Sequence, residues 1–461
     1  MKHLLLLCAL AIPCFMACEK MDEAVSPDVE QQQDPLADVI RIAMDGASML
    51  EDGATRATAN RRVNLDAISC KIHPATRAGE ANDTLYYVVN YADNAGFAIV
   101  SADEHATDGE RLIAVTESGS YTAGDRTNNE GFNLYMDMVD NMSVETPTTR
   151  GFELDTTVLR PDISRIVDSV TYSPWYGVNP LLQVKWGQGK LYWFDSDSFV
   201  FYENTYDPAY PYNKYCYKEE GDSICPAGCT AVAMAQIMSY HKTPNTLTLE
   251  HDGYRTITLN WNEISTWTGG NDYAWTESSG DTIAVLFKEI GERVDMRYKP
   301  KASSAELIKV GPALYWLGYK SPSIVGYDYD ALCAELQSYC PIYMSGDRED
   351  GVDSNGNTIY TGHAWVADGY KYRTCQIDTY KVYPAPLGEE RWVLFKQTTS
   401  THRYVHYNWG SNGDCNGFFS DTCFRLNQAS EEAGGYDNSG SNDINKEYRI
   451  NVRMITGIEK R

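Results

Sequence analysis

From Ala231 onward, apolar residues stand at i, i+3, i+4 and i+7 (Ala231, Met234, Ala235, Met238). Val232, Ala233 and Ile237 fill much of the remaining circumference. A surface apolar nearly all the way round predicts a core helix. Pro226 and Gly228 keep the chain irregular just before it and Pro244 stops it just after, so Cys229 falls at the amino-terminal end. There the unpaired backbone N–H groups and the positive end of the helix dipole favour thiolate over thiol, which makes a sulfur nucleophilic near neutral pH.

The rest of the chain shows two further blocks of pattern. In the first, helical spacing runs from about Ala37 to Leu50, and a basic link containing Ala and Thr follows to Arg62. Leu85–Asn90, Gly96–Ser101 and Leu112–Val115 are short and β-branched or aromatic, so they read as strands of a small sheet. Phe132 to Met142 reads as an amphipathic helix with Phe132, Tyr135, Met136 and Val139 on one face. The polar, proline-broken stretch Ser143–Gly151 then reads as an exposed linker and a domain boundary, with Arg150 one of several bonds open to cleavage.

In the second block, Cys340–Gly346 and Thr361–Tyr370 read as strands joined by a long polar loop, Asp347 to Tyr360. This places His363 at the mouth of a cleft beneath a mobile flap. Gln428–Asn442 reads as a solvated loop, and Tyr448–Ile455 closes the chain as a strand.

Composition narrows the function. With 64 acidic against 39 basic residues among 461, the chain carries a formal charge of −25, which excludes phosphate backbones and hence nucleic acid as partners. Twelve cysteines are too dispersed for a small disulfide scaffold, and their connectivity is not readable from spacing. Cys225 and Cys229 lack a second close Cys or His pair, which argues against zinc. Lys2 and His3 precede the apolar run Leu4–Leu10, the layout of a bacterial export signal over residues 1–18. The run is too short for a membrane anchor. Phe15-Met16-Ala17-Cys18 resembles a lipoprotein processing box that would lipidate Cys18 and attach the protein to a membrane, and residues 19–36 would be a tether.

Four segments stand in one order along the chain: Trp186-Gly187-Gln188, Gly228-Cys229-Thr230-Ala231 running to Tyr240-His241, Gly362-His363-Ala364-Trp365-Val366-Ala367-Asp368-Gly369, and Asn408-Trp409-Gly410. Together they resemble the streptopain family of papain-like cysteine peptidases. Tyr87-Val88-Val89-Asn90-Tyr91, Gly96 to Glu104 and Glu117-Ser118-Gly119 resemble the propeptide and inhibitor module that precedes such enzymes.

The resemblance implies an α+β, papain-like fold over residues 151–461, with a helical part carrying the cysteine and an antiparallel part carrying the histidine. A small α+β propeptide domain would occupy residues 37–150. It implies Cys229 as nucleophile, His363 as base, Gln188 as oxyanion donor, and Asn408 with Trp409 orienting the imidazole. It calls for no metal or organic cofactor. Protein or peptide substrates, and the chain's own propeptide as intramolecular inhibitor, would be the partners of a secreted or cell-surface zymogen. Ser411 and the Asp414-Cys415 pair depart from the family pattern near the cleft floor.

His241 lies about 18 Å from Cys229 along a helix, so it serves better as a helix-end residue bonding the last carbonyls than as a base. His251, His402 and His406 have no comparable context. Two other functions use the same residues: an exported inactive homologue acting as a binding or inhibitory lipoprotein, and an acyl-transferase or deamidase.

Overall fold

The computed structural model describes residues 35–51, 61–73, 83–102, 110–145, 165–189, 211–217, 224–249, 253–266, 277–300, 302–352, 358–384, 388–425 and 450–461. The export signal with Cys18, the tether up to residue 34, Arg150 and the loop Gln428–Asn442 lie outside them, as does His251.

The amino-terminal module is a sheet between two helices. Helix α1 (Pro35–Ala47) is followed by strands β1 (Val63–His73), β2 (Asp83–Tyr91), β3 (Phe97–Ser101) and β4 (Leu112–Thr116), and then by helix α2 (Glu130–Glu145). All adjacent strands pair antiparallel. Side chains along a strand alternate between faces. Val89, Ala98 and Val100 accordingly meet Val39, Ala43 and Ala47 of α1, while Tyr86, Val88, Phe97 and Ile99 meet Phe132, Tyr135 and Val139 of α2. The three strands and both helices predicted from periodicity are present. β1 is an additional strand, whose Asn64, Asp66 and Lys71 suit a solvated edge.

The second module is α+β. Strands β5 (Arg165–Tyr172) and β6 (Tyr176–Val178) lead to helix α3 (Cys229–His241), strands β7 (Thr246–Leu249) and β8 (Arg255–Thr258), and helices α4 (Trp261–Ile264), α5 (Glu277–Arg293) and α6 (Val310–Trp316). Strand β9 (Ser323–Gly326) and helix α7 (Tyr329–Gln337) precede β10 (Ile342–Val352), β11 (Thr358–Tyr383), β12 (Arg391–Asn408), β13 (Gly417–Ser420) and β14 (Asn451–Thr456).

The main sheet runs β1-β2-β3-β4-β13-β12-β11-β10-β14-β9, with β5 and β6 paired to β11. The two modules therefore share one sheet. Its seam is β4 against β13, with Ala114, Val115 and Thr116 opposite Phe419, Phe418 and Gly417.

β11 divides two cores. Ala364 and Val366 face α3, α5 and α6, while Trp365 and Ala367 face α2, Tyr407, Trp409 and Phe419. Of the polar stretch Asp347–Tyr360, expected to be a loop, the described residues 347–352 and 358–360 continue the β10–β11 hairpin. Asp347 pairs with Gly362, Arg348 with Thr361, Glu349 with Tyr360 and Val352 with Thr358. Backbone pairing across the hairpin holds these polar residues in strand, whatever their side-chain preference.

Candidate active site

α3 begins at Cys229 because Gly228 turns the chain with φ +91°, a left-handed value that a side chain disfavours. A Cβ on Gly228 would also lie 2.6 Å from Met296 Cε. Every residue from Thr230 to Ser239 is buried, so the helix is fixed on all sides and Cys229, only partly exposed, is presented at its open end. His363 arrives from β11, opposite Gly346 of β10, and its ring is buried.

The two side chains lie close enough for each to shift the titration of the other. Burial pushes the Cys229 thiol up, but the hydrogen bond and charge of His363, with the Ala364 N–H, outweigh it and hold the thiol below its ordinary range. Burial likewise pulls the His363 imidazole down. The hydrogen bond and charge of Cys229, the Trp409 carbonyl and the Glu130 carboxylate reverse this and hold it above the ordinary value. Both shifts favour a thiolate beside an imidazolium.

The ring is oriented by main chain. His363 Nε2 lies 2.8 Å from the Trp409 carbonyl oxygen. This corrects the expectation that the Asn408 side chain holds the imidazole. Asn408 Nδ2 donates to the Val184 carbonyl at 2.9 Å, and its Oδ1 accepts from Gln236 Nε2 at 3.0 Å and from the Gly410 N–H at 3.2 Å. Asn408 therefore ties the strand end to α3 and to the segment before Gln188. Trp409 is itself anchored, its N–H to Asn416 Oδ1 at 3.1 Å and its indole Nε1 to the Cys415 carbonyl at 3.0 Å, with Trp365, Tyr407 and Phe419 packed around the ring.

Gln188 is half-buried beside the turn into α3, and its carbonyl accepts from the Ala227 N–H at 3.3 Å. Gln236 supplies a support that sequence reasoning missed. Fully buried in an otherwise apolar helix, it donates to the Trp186 carbonyl and to Asn408 Oδ1, each at 3.0 Å. A lone glutamine among Met, Ala and Ile was the signal, since a buried amide requires partners.

The amino-terminal module covers the pair. Glu130 Oε2 is 3.9 Å from His363 Nδ1, and a Cβ on Gly131 would lie 2.6 Å from both His363 Cδ2 and Trp409 Cε3. Asn129 caps α2 by accepting from the Phe132 N–H at 3.0 Å and also donates to the Asp414 carbonyl at 2.7 Å, which pins the first turn in place. Asn129 was not singled out from the sequence; an Asn three residues ahead of an apolar helical run is the signal that could have marked the cap.

The remaining histidines divide. His241 sits at the helix end against Tyr240 and Tyr319, beside the Ile458 backbone near the chain end. Burial lowers its pKa to about 4. His406, singled out by no motif, is buried between Asp368 (Nδ1–Oδ1 2.6 Å) and Glu117 of the first module (Nε2–Oε1 3.3 Å). His402 pairs with Glu110 of the same module. Among the described residues there is no group of three or more His, Cys, Asp or Glu side chains that could hold a metal.

Residues 206–419 match the Peptidase C10 family, and residues 51–142 match the Spi protease inhibitor family. Streptopain of Streptococcus pyogenes is 25% identical over 386 residues, covering 76% of this chain and 77% of that protein. The thiol protease/hemagglutinin PrtT of Porphyromonas gingivalis is 24% identical over 439 residues, which are 89% of this chain but 41% of that protein. Among solved structures, a fragment of Prevotella intermedia prointerpain A is 18% identical and aligns over 85% of this chain and 100% of its own, with a TM-score of 0.46. Active interpain A is 19% identical and aligns over 61% of this chain and 95% of its own, with a TM-score of 0.35. Residues 206–419 thus form a cysteine-type endopeptidase region of the peptidase C10, or streptopain, family, preceded at residues 51–142 by a Spi-type inhibitor propeptide.

Proposed function

We propose that the protein is an exported zymogen whose peptidase domain, from about residue 151 onward, cleaves protein chains through Cys229 and His363. What supports this reading is the mutual influence of the two groups, which holds the thiol down and the imidazole up. In the released enzyme the Cys229 thiolate attacks the peptide carbonyl, and the negative charge on its oxygen is met by the Cys229 N–H and the Gln188 amide. The His363 imidazolium gives its proton to the leaving amine and then takes one from the water that opens the acyl-enzyme. The Trp409 carbonyl accepts from Nε2, which leaves Nδ1 as the nitrogen that would exchange the proton. Residues 37–150 inhibit by laying Glu130 and Gly131 over the imidazole. The leader would carry the chain out of the cell, with Cys18 as the site of lipid attachment.

Incubating purified precursor and its Cys229→Ala variant with a casein-type substrate tests the reading. Mass spectrometry is expected to find new peptide termini with the parent and none with the variant. Products changed only by about one dalton at glutamine would mean deamidation, and no product from either would mean an inactive homologue.

A further inference from the structure

Two cysteines other than the nucleophile face one another on the approach to it. Tyr217 and Ile224 form an isolated antiparallel bridge, so Cys216 and Cys225 are the next directly opposed pair, and the Cys225 N–H donates to the Cys216 carbonyl at 2.7 Å. Residues opposed in this way share a face, with Cα atoms about 5.5 Å apart, inside the span of about 4.4–6.8 Å that a disulfide bridges. Both side chains are fully buried. Their thiols interact electrostatically with each other and with the Tyr298 hydroxyl, and the Cys216 thiol donates to the Tyr212 carbonyl at 3.8 Å. The two sulfurs and the phenol thus form one buried cluster, although no two of the nine described cysteines are joined.

The segments bearing the pair support Gln188. Asn213, just before Cys216, packs against Gly189 so closely that a Cβ there would lie 2.6 Å from Asn213 Cγ. Ala227, just after Cys225, holds the Gln188 carbonyl. We propose that Cys216 and Cys225 form a structural disulfide that locks these two segments around Gln188 and the turn into α3.

The oxidant is a small-molecule or protein disulfide. One cysteine thiolate attacks its S–S bond to give a mixed disulfide and a departing thiolate, and the second cysteine displaces the other thiolate. Two S–H bonds are lost and one protein S–S bond forms. The two protons end on the two thiols of the reduced oxidant.

Burial pushes the Cys216 thiol up to about 12, so thiolate is scarce in the folded protein. The bond therefore forms during folding and is then shielded from reductants. Cys229, with its thiol held down, becomes open to them once α2 is released. The inference does not rest on the peptidase reading. Export matters only for where the chain meets its oxidant.

The test uses the full-length Cys229→Ala precursor, which cannot digest itself under the proposed mechanism and leaves Cys225 the only cysteine in tryptic peptide 219–242. It is folded in reduced and oxidised glutathione, denatured without reduction, alkylated with iodoacetamide and digested with trypsin. Peptide 215–218 is expected to be joined to peptide 219–242, two hydrogens lighter than the sum of the two. The link is also expected to survive incubation of the native protein with reduced glutathione. Both peptides alkylated, either one joined to another cysteine, or a link lost in the native protein would each overturn the proposal.

Discussion

A thiolate partly withdrawn from water needs compensation, and Cys229 receives it from His363 and the Ala364 N–H. The ion pair exists only above the lowered Cys229 pKa and below the raised His363 pKa, so kcat/KM should trace a bell between these limits. Its acid limb should lie below the ordinary thiol value of about 8.5. A single rise near that value would contradict the pairing. Asn408 calls for a different expectation. Its three hydrogen bonds go to Val184, Gln236 and Gly410 rather than to the histidine. Asn408→Ala should therefore cost about 2–3 kcal/mol of stability by orphaning buried partners, while leaving the pH limits of the bell in place. Denaturant unfolding and the pH profile together separate the two roles. The Asn-Trp-Gly motif gave the residues, but it could not say that a main-chain oxygen would take the part expected of the asparagine amide.

At the scale of elements, α3 was legible because its apolar periodicity and its flanking Pro226, Gly228 and Pro244 agree with one another. α2 was legible as an amphipathic helix, but not as the element that covers His363. Its first turn meets the imidazole through Gly131, and a glycine is silent in a hydrophobic pattern. Gly131→Val would drive a side chain into His363 and Trp409. Overpacking of this kind typically costs about 1–3 kcal/mol. The inhibitory contact should weaken by roughly ten- to a hundredfold, seen as faster release of activity from the precursor. Unchanged latency would mean that α2 does not set it. The apolar run Trp392–Phe395 also shows the limit of pattern: all four residues lie exposed on β12, where periodicity alone suggests a buried strand.

At the scale of the molecule, the shared sheet joins residues about 300 positions apart at the β4–β13 seam, and no local pattern announces such a pairing. Next to that seam lies an ionic cluster of Glu117 and Lys185 with His406 and Asp368. Burial pulls the His406 imidazole down, but the Asp368 and Glu117 carboxylates lift it to about 9, above its ordinary 6.5. Its contribution is therefore complete below about pH 6.5 and is lost as pH rises through 9. Burial would push the Glu117 carboxyl up, yet His406 and Lys185 hold it well below the usual carboxylate range. That contribution is present above about pH 4.5 and is lost as pH falls. The thermal midpoint of the Cys229→Ala precursor should decline between pH 6.5 and 9.5 more steeply than that of the same precursor carrying His406→Asn. Parallel profiles would remove the cluster from the account.

The most direct test of the whole account is the rate at which iodoacetamide alkylates Cys229, followed by peptide mass spectrometry across pH in precursor and released enzyme. The account predicts slow labelling in the precursor, where α2 covers the pair. In the released enzyme it predicts fast labelling that persists well below pH 8 and is lost with His363→Ala. Equal labelling in both forms, rising only near pH 8.5 whether or not His363 is present, would contradict it.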